Sequence, residues 1–359
     1  MTRHYNFSAG PSMLPLSVLE KVQKDFLNYQ GTGLSVTEMS HRSKPYETIN
    51  AEAESLLRDL MNVPKDYDII FVQGGASTQF AAIPLNMCKN KKADYVVSGI
   101  FSKKAAEEAA IFTDAKVVAS SKEQGFLTIP EIKKDTVRSD ADYLHICYNN
   151  TIVGTHFDKP PSVGNVPLVA DMSSCILSEE IVVSKFGVIY AGAQKNIAPA
   201  GVTIVIIKKG LADNPSPTCP TILKWSTQIA EKSLYNTPPA FSTYMAMEVF
   251  KWVKDLGGVK EMQKINEAKA KLLYDFIDNS KFYQNKVEKK YRSIMNVPFV
   301  SPSEELDAKF VSESAKVGLL TLKGHRLVGG MRASIYNAMP TEGVKALVEF
   351  MKKFEQENK

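Results

Sequence analysis

The sequence has no long apolar run and few cysteines. No stretch approaches the roughly 20 apolar residues that a membrane-spanning helix needs. The cysteines, Cys88, Cys147, Cys175 and Cys219, are irregularly spaced, and no Cys-x-x-Cys pair is present. These absences argue against a membrane protein, a zinc ribbon or a dithiol redox centre, and we predict no metal site. We expect the cysteines to be buried, reduced thiols of a cytoplasmic protein.

Charge of one sign is nowhere concentrated. The 44 basic and 39 acidic residues give a net charge of +5, and no dense basic block with aromatics indicates a nucleic-acid surface. The first ten residues show no charged and then apolar leader, so we expect no secretory signal. The 359 residues are 44% hydrophobic and 23% charged, which is typical of a globular protein with two domains.

Apolar strands and amphipathic helices alternate over the first 250 residues. Several strand candidates are continuous apolar runs, which favours strands buried on both faces of a mainly parallel sheet. We therefore predict an α/β domain of three layers, with helices covering the sheet. The seven predicted strands are residues 68–73, 94–98, 115–119, 143–147, 167–170, 188–191 and 202–207.

The pattern changes after about residue 250. It predicts long helices at 241–255 and 259–279, a strand at 293–300, and helices at 303–317 and 341–355. This order is typical of a small α+β domain. We assign residues 16–258 to the large domain, and residues 1–15 and 259–359 to the small one.

Asp171 and Lys195 are the first candidates for chemistry. Asp171 ends an apolar run, at the carboxyl end of a strand, where open α/β sheets bind ligands. Lys195 follows the next strand through a tight turn, and burial there would lower its pKa. A neutral lysine can form a Schiff base with an aldehyde, and an aspartate can keep a pyridine nitrogen protonated. Alternatively, Lys195 caps a turn and Asp171 caps the segment 172–174.

A Gly-rich segment, Gln73-Gly-Gly-Ala-Ser-Thr-Gln79, lies between a strand and a helix. The backbone N–H groups of Ala76 and Ser77 could hold a phosphate at the helix start. Alternatively, Ser77 or Thr78 is an ordinary N-cap. The segment matches neither the dinucleotide-binding fingerprint nor the Walker A motif.

Two further segments allow both a functional and a structural interpretation. Asn236 and Thr237 precede two prolines and a helix, so they could face an anion or simply cap that helix. Phe101 follows a strand, where an aromatic ring could stack on a flat cofactor or belong to the core.

Two His-Arg pairs stand in Ser/Gly-rich loops, although the chain has only five histidines. They are His41-Arg42 and His325-Arg326, and Arg332 follows the second pair by six residues. Arginine binds phosphate or carboxylate through two parallel hydrogen bonds, so the three arginines could serve one phosphate and one carboxylate. Alternatively, they are solvated surface side chains.

Taken together and in this order, these segments resemble the phosphoserine aminotransferase family across nearly the whole chain. The opening Tyr5-Asn-Phe-Ser-Ala-Gly-Pro-Ser12 resembles the family's N-terminal signature. The other matching motifs are Ser40-His-Arg-Ser43, Gly74-Gly-Ala-Ser77, Asp171-Met-Ser-Ser174, Ala193-Gln-Lys-Asn196, Tyr235-Asn-Thr-Pro-Pro239, and Gly324-His-Arg with Gly330-Met-Arg-Ala-Ser334.

The resemblance implies a fold-type I, pyridoxal-phosphate-dependent homodimer with active sites shared between subunits. It implies that Lys195 bonds covalently to the cofactor and that Asp171 pairs with its pyridine nitrogen. It assigns the cofactor phosphate to Ala76, Ser77 and Gln194, with Asn236 and Thr237 of the neighbouring subunit. Thr151 is implied to contact the ring hydroxyl, the two His-Arg pairs the substrate phosphate, and Arg332 the α-carboxylate.

The chain departs from the family at two positions. Phe101 stands where tryptophan is usual, which keeps a π face but reduces the stacking area. Ser77 stands where some members have arginine.

Two rival functions stay open at this point. One is another enzyme of the same fold, such as a cysteine desulfurase or an alanine–glyoxylate aminotransferase. The first needs a cysteine in a late loop, and Cys219 is the last here; the second needs no pair of His-Arg motifs. The other rival is a non-catalytic protein that binds a phosphorylated ligand, against which the intact Lys195 and Asp171 argue.

Overall fold

The computed structural model describes residues 3–87 and 89–359, and Cys88 lies outside the described residues. The helices are α1 (Leu16–Asp25), α2 (Lys44–Leu60), α3 (Gly75–Asn86), α4 (Ile100–Ala109), α5 (Trp225–Ala230), α6 (Ala240–Asp255), α7 (Val259–Asn279), α8 (Glu304–Lys316) and α9 (Thr341–Asn358). The strands are β1 (Tyr5–Asn6), β2 (Tyr67–Val72), β3 (Lys92–Val97), β4 (Asp114–Ser120), β5 (Tyr143–Cys147), β6 (Leu168–Asp171), β7 (Val188–Gly192), β8 (Thr203–Lys208), β9 (Asn296–Phe299), β10 (Leu319–Leu320) and β11 (Met331–Ser334).

Seven strands form the central sheet in the order β2-β8-β7-β6-β5-β3-β4. Strand β8 runs antiparallel to both of its neighbours, and the other pairings are parallel. The prediction of a mainly parallel, seven-stranded sheet is therefore confirmed. Every residue of β5 and β6 is buried, as continuous apolar strands require.

The two faces of this sheet carry separate apolar cores, because successive strand residues point to opposite faces. Val169 and Val188 contribute to the core that includes residues of α3, α4 and α5. Ala170 and Ile189, one position further along each strand, contribute to the core that includes α1, α2 and α6. Helices on both faces confirm the three-layer α/β architecture.

A third apolar core joins α7 and α9 to the antiparallel pair of β9 and β11. The N-terminal strand β1 pairs in parallel with β10, so the first residues of the chain pack beside this core. The described cysteines, Cys147, Cys175 and Cys219, are all buried. Within the described ranges, no helix has the length and apolar character needed to cross a membrane.

The carboxyl ends of β5, β6 and β7 meet at one edge of the sheet. Asp171 pairs with Cys147 on one side and with Tyr190 on the other. The strands end there, so the turns that follow them converge on one place, as in other open α/β sheets. The candidate site is built at this edge.

Candidate active site

Lys195 lies in the turn that follows β7, with only 9% of its surface exposed. Its Nζ atom donates a 2.6 Å hydrogen bond to Thr151 Oγ1. The same amine lies 5.6 Å from the ring centroid of Phe101, the second residue of α4. Three of the predicted cofactor residues are thus brought together from three separate segments of the chain.

The environment of Lys195 favours its neutral form. Burial lowers the pKa of Lys195, and the nearby Asp171 carboxylate opposes this shift. Asp171 is itself buried, and its Oδ1 accepts a 2.9 Å hydrogen bond from the backbone N–H of Ser173. The capping interpretation thus holds for one contact of Asp171, but it does not explain why a lysine and an aspartate are buried together.

Behind Asp171 lies a buried polar chain that the sequence did not reveal. Tyr190 pairs with Asp171 across the parallel β6–β7 ladder, and its hydroxyl lies 2.8 Å from His145 Nε2. Burial and the Asp171 carboxylate raise the pKa of Tyr190, and burial lowers the pKa of His145 to about 3. The histidine is therefore neutral, and the tyrosine keeps its proton. The available signal was one imidazole within the buried strand Tyr143-Leu-His-Ile-Cys147.

The turn between β2 and α3 presents backbone N–H groups. Gly74 and Gly75 both have positive φ, of 95° and 68°, which favours glycine. A Cβ atom on Gly74 would also lie 1.9 Å from Thr78 Oγ1. Helix α3 begins at Gly75, so Ala76 and Ser77 lie in its first turn, where N–H groups have no partner within the helix.

The N-cap interpretation of this turn is wrong. Gly74 occupies the N-cap position, and α3 has no side-chain cap. Thr78 Oγ1 instead donates to the carbonyl of Gly74. The first turn of α3 thus has no side-chain cap, which is compatible with the phosphate hypothesis.

The N-terminal signature packs against the lysine turn. The backbone N–H of Ser12 donates to the carbonyl of Gln194 at 3.0 Å, and the Ser12 hydroxyl hydrogen-bonds to the carbonyl of Lys195. A Cβ on Gly10 would lie 3.4 Å from the Cγ atoms of both Gln194 and Lys195. These contacts explain why the opening segment belongs to the motif set, although it lies more than 180 residues from Lys195.

A cationic group adjoins this site on the side of β11. Arg332 lies on β11, and its Nη1 donates to the carbonyl of Thr151 at 3.3 Å. Its Nε is buried without a hydrogen-bond partner in the described part of the chain. Burial lowers the pKa of His325, and the charges of Arg332, Arg326 and Lys104 lower it further, so these groups lie close together. A site of this kind can bind an anionic ligand.

Four predicted residues make no hydrogen bond to Lys195 or Arg332 in the described part of the chain, although Thr237 contacts Gln73 beside the Gly74 turn. His41 and Arg42 line a groove of about 710 Å³ with Lys232 and Leu234, and Arg42 is exposed. Asn236 and Thr237 are also exposed, and the Thr237 carbonyl accepts a 2.7 Å hydrogen bond from Gln73. The capping interpretation of Asn236 and Thr237 is wrong, because α6 starts after Pro239 and has no side-chain cap.

Comparison with known proteins decides the family. The family model for class-V aminotransferases matches residues 4–347. A phosphoserine aminotransferase of Bacillus cereus is 55% identical over 360 residues, covering 100% of both chains. The chain belongs to the phosphoserine aminotransferase family.

Solved members of the family share this fold over nearly the whole length. A phosphoserine aminotransferase studied for radiation damage of its Schiff base is 46% identical, with a TM-score of 0.96, covering 99% of this chain and 100% of its own. The PLP-bound phosphoserine aminotransferase from Trichomonas vaginalis is 41% identical, with a TM-score of 0.92, covering 98% and 100%. Fold-type I architecture, predicted from the motifs, is confirmed.

Proposed function

We propose that this chain transfers the amino group of L-glutamate to 3-phosphohydroxypyruvate, giving O-phospho-L-serine and 2-oxoglutarate. The reaction belongs to L-serine biosynthesis, and we place it in the cytoplasm. The observation that carries the proposal is a buried lysine of lowered pKa beside Asp171, with an arginine and a histidine within the same site.

The side chains at this site fit pyridoxal 5′-phosphate as the cofactor. A buried amine, a buried carboxylate and an uncapped helix start correspond to its aldehyde, pyridine nitrogen and phosphate. When bound, the cofactor supplies that aldehyde and an electron-withdrawing ring. The residues that would hold it are Ala76, Ser77, Phe101, Thr151, Asp171, Gln194 and Lys195, with Asn236 and Thr237.

In this proposal Lys195 and Asp171 are the catalytic residues. Lys195 accepts the proton from the substrate Cα and returns it, which a neutral amine can do near neutral pH. Thr151 orients the amine through the 2.6 Å hydrogen bond. Asp171 keeps the ring nitrogen protonated, and the protonated hydroxyl of the neighbouring Tyr190 stabilises the Asp171 carboxylate.

The substrate groups go to the cationic residues. Arg332 binds the α-carboxylate through its guanidinium, whose buried Nε has no hydrogen-bond partner among the described residues. His325 and Arg326 bind the substrate phosphate from one side, and His41 and Arg42 bind it from the other. A substrate without a phosphate group would leave both His-Arg pairs without a ligand.

We further propose a homodimer in which His41, Arg42, Asn236 and Thr237 serve the neighbouring subunit's site. This is supported by apolar side chains exposed near these segments: Leu27 is 81% and Leu34 is 49% exposed. Phe26 packs on Phe241, at the start of α6, which connects the two regions. Apolar surface of this kind is expected to be covered by a partner.

The division into a large domain (16–258) and a small domain (1–15 and 259–359) is also part of the proposal. It is supported by the apolar core of α7, α9, β9 and β11, which includes Phe7 and Met13 from the N-terminal segment.

A glutamate-dependent amination assay tests the function. We expect turnover with 3-phosphohydroxypyruvate and far less with pyruvate or glyoxylate. Preference for either unphosphorylated acceptor would contradict the proposal and favour the alanine–glyoxylate type of enzyme.

Arg42→Ala tests the phosphate assignment. Loss of this partner should lower kcat/KM for 3-phosphohydroxypyruvate at least about thirtyfold, or about 2 kcal/mol. Lys44→Ala is the matched control, because Lys44 lines the same groove but is 88% exposed and pairs with Glu47. Equal kinetics for the Arg42→Ala variant and the wild type would remove Arg42 from the site.

Subunit mixing tests the sharing of sites. Chains carrying Lys195→Ala and chains carrying Arg42→Ala are impaired alone, but a mixed dimer would contain one site with both residues intact if Arg42 crosses the interface. Recovered activity supports sharing. Mixed dimers without recovery, or a monomer by light scattering, would contradict it.

A further inference from the structure

A second group of potential ligands includes none of the residues assigned to cofactor and substrate, although Cys175 lies near Lys195. It consists of His156, Cys175 and Glu179, from two segments of the chain. One ligand atom of each, a ring nitrogen, the thiol sulfur and a carboxylate oxygen, lies within 4.8 Å of the other two. We propose that these three side chains bind one divalent transition-metal ion of the zinc class.

The ligand types fit this class of metal. Imidazole nitrogen, thiolate sulfur and carboxylate oxygen are all zinc ligands, whereas a thiolate is unsuited to calcium or magnesium. Tetrahedral coordination places ligand atoms about 3.3–3.7 Å apart. His156 Nε2 and Glu179 Oε1 are already 3.0 Å apart. The set therefore needs only small side-chain movements to surround an ion.

An unsatisfied atom marks the same place. Glu179 Oε1 is buried, and within the described residues it has no hydrogen-bond partner. Its neighbour His156 Nε2 lies 3.0 Å away, at the distance of an ion pair. Burying a carboxylate oxygen without a hydrogen bond is costly, and a bound cation would compensate.

The backbone around these side chains is fixed. The His156 N–H donates to the Tyr291 carbonyl at 2.8 Å, and its ring meets Tyr148 edge-on at 5.0 Å. The Cys175 N–H donates to the carbonyl of Met172 at 3.0 Å, within the turn that follows β6. Preorganised ligands lose little freedom on binding an ion.

Two residues of the cluster are partly exposed to solvent, whereas Cys175 is buried. The side chains of His156 and Glu179 are 12% and 18% exposed. Glu179 also lines a groove of about 740 Å³, together with Asp59, Glu180 and Lys254. With three protein ligands, the ion would keep a fourth position for water. The sequence predicted no metal site, because these residues lack the short, regular spacing of zinc motifs.

Zinc titration of the full-length, cofactor-loaded protein tests the proposal. After chelator treatment, Zn²⁺ is added in competition with a chromophoric chelator, and retained metal is counted by mass spectrometry after gel filtration. We expect one zinc per chain. The variants His156→Gln, Cys175→Ser and Glu179→Gln should each weaken binding at least about tenfold. Cys147→Ser is the matched control, since Cys147 is an equally buried thiol outside the cluster.

Cobalt substitution gives a second readout. We expect a thiolate-to-cobalt charge-transfer band in the Co²⁺ difference spectrum of the wild type and of the Cys147→Ser variant, and none with Cys175→Ser. Circular dichroism checks that each variant folds. If Cys175→Ser does not fold, Glu179→Gln, which preserves the side-chain volume, still tests the site. A wild type that retains no zinc, ligand variants that bind it equally well, or a band that survives in Cys175→Ser would overturn the proposal.

Discussion

Replacing Thr151 with valine would remove the hydroxyl that contacts Lys195 Nζ at 2.6 Å while keeping the side-chain volume. Both residues are buried, with 4% and 9% of their surfaces exposed, so water replaces the lost contact poorly. A hydrogen bond to a charged group contributes about 1.5–3 kcal/mol. Without it the ammonium form is less stable, and the pKa of Lys195 falls further. While the ammonium form predominates, the neutral fraction should rise about ten- to hundredfold at a given pH.

Competitive acetylation of the cofactor-free protein measures this effect. The labelling of the peptide containing Lys195 is followed against pH by mass spectrometry, and its midpoint should move to lower pH in Thr151→Val. Thr151→Ser keeps the hydroxyl and should keep the wild-type midpoint. Thr155→Val is a second control, because Thr155 is buried but its hydroxyl accepts from Asn150. A midpoint in Thr151→Val equal to that of the wild type would refute the reasoning.

Two other predictions concern the surroundings of Lys195. Tyr190→Phe leaves His145 and Asp171 without a buried hydroxyl partner, so the free energy of unfolding should fall by about 1–3 kcal/mol in denaturant titration. An unchanged free energy of unfolding would show that the Tyr190 hydroxyl does not stabilise the fold. Burial and neighbouring cations lower the pKa of His325, so Arg332→Gln should raise it toward the ordinary value of about 6.5 in an NMR titration. Phosphoserine should also raise this pKa, because an anion favours the imidazolium, and its affinity should therefore fall as pH rises through the pKa of the complex. A His325 resonance that ignores both changes would place it outside the site.

Local patterns were enough for much of the fold. Continuous apolar runs located the seven strands of the sheet to within about two residues, and the helix predicted at 259–279 coincides with α7. Strand β4 is an edge strand in which Val117 is 50% exposed, whereas the inner strands are buried. Edge position depends on strand order, which periodicity does not encode. The antiparallel direction of β8 and the short strands β1 and β10 depend on non-local pairing in the same way.

Prediction of the site from the sequence succeeded and failed for the same reason. Sequence patterns singled out Lys195, Asp171 and Phe101, and the family resemblance added Thr151; the structure brings these side chains together. The partners of Asp171 were missed, because Tyr190 and His145 lie inside strands and have the pattern of core residues. The cluster of His156, Cys175 and Glu179 was missed because its members meet only through the fold.

The central claim is that the amine of Lys195, and no other, holds pyridoxal phosphate covalently. Borohydride reduction of the cofactor-loaded protein, followed by proteolysis and mass spectrometry, measures this directly. We predict the reduced cofactor on the peptide containing Lys195 and none in a Lys195→Ala variant. Protein that incorporates no cofactor, or carries it on a different lysine, would contradict the account.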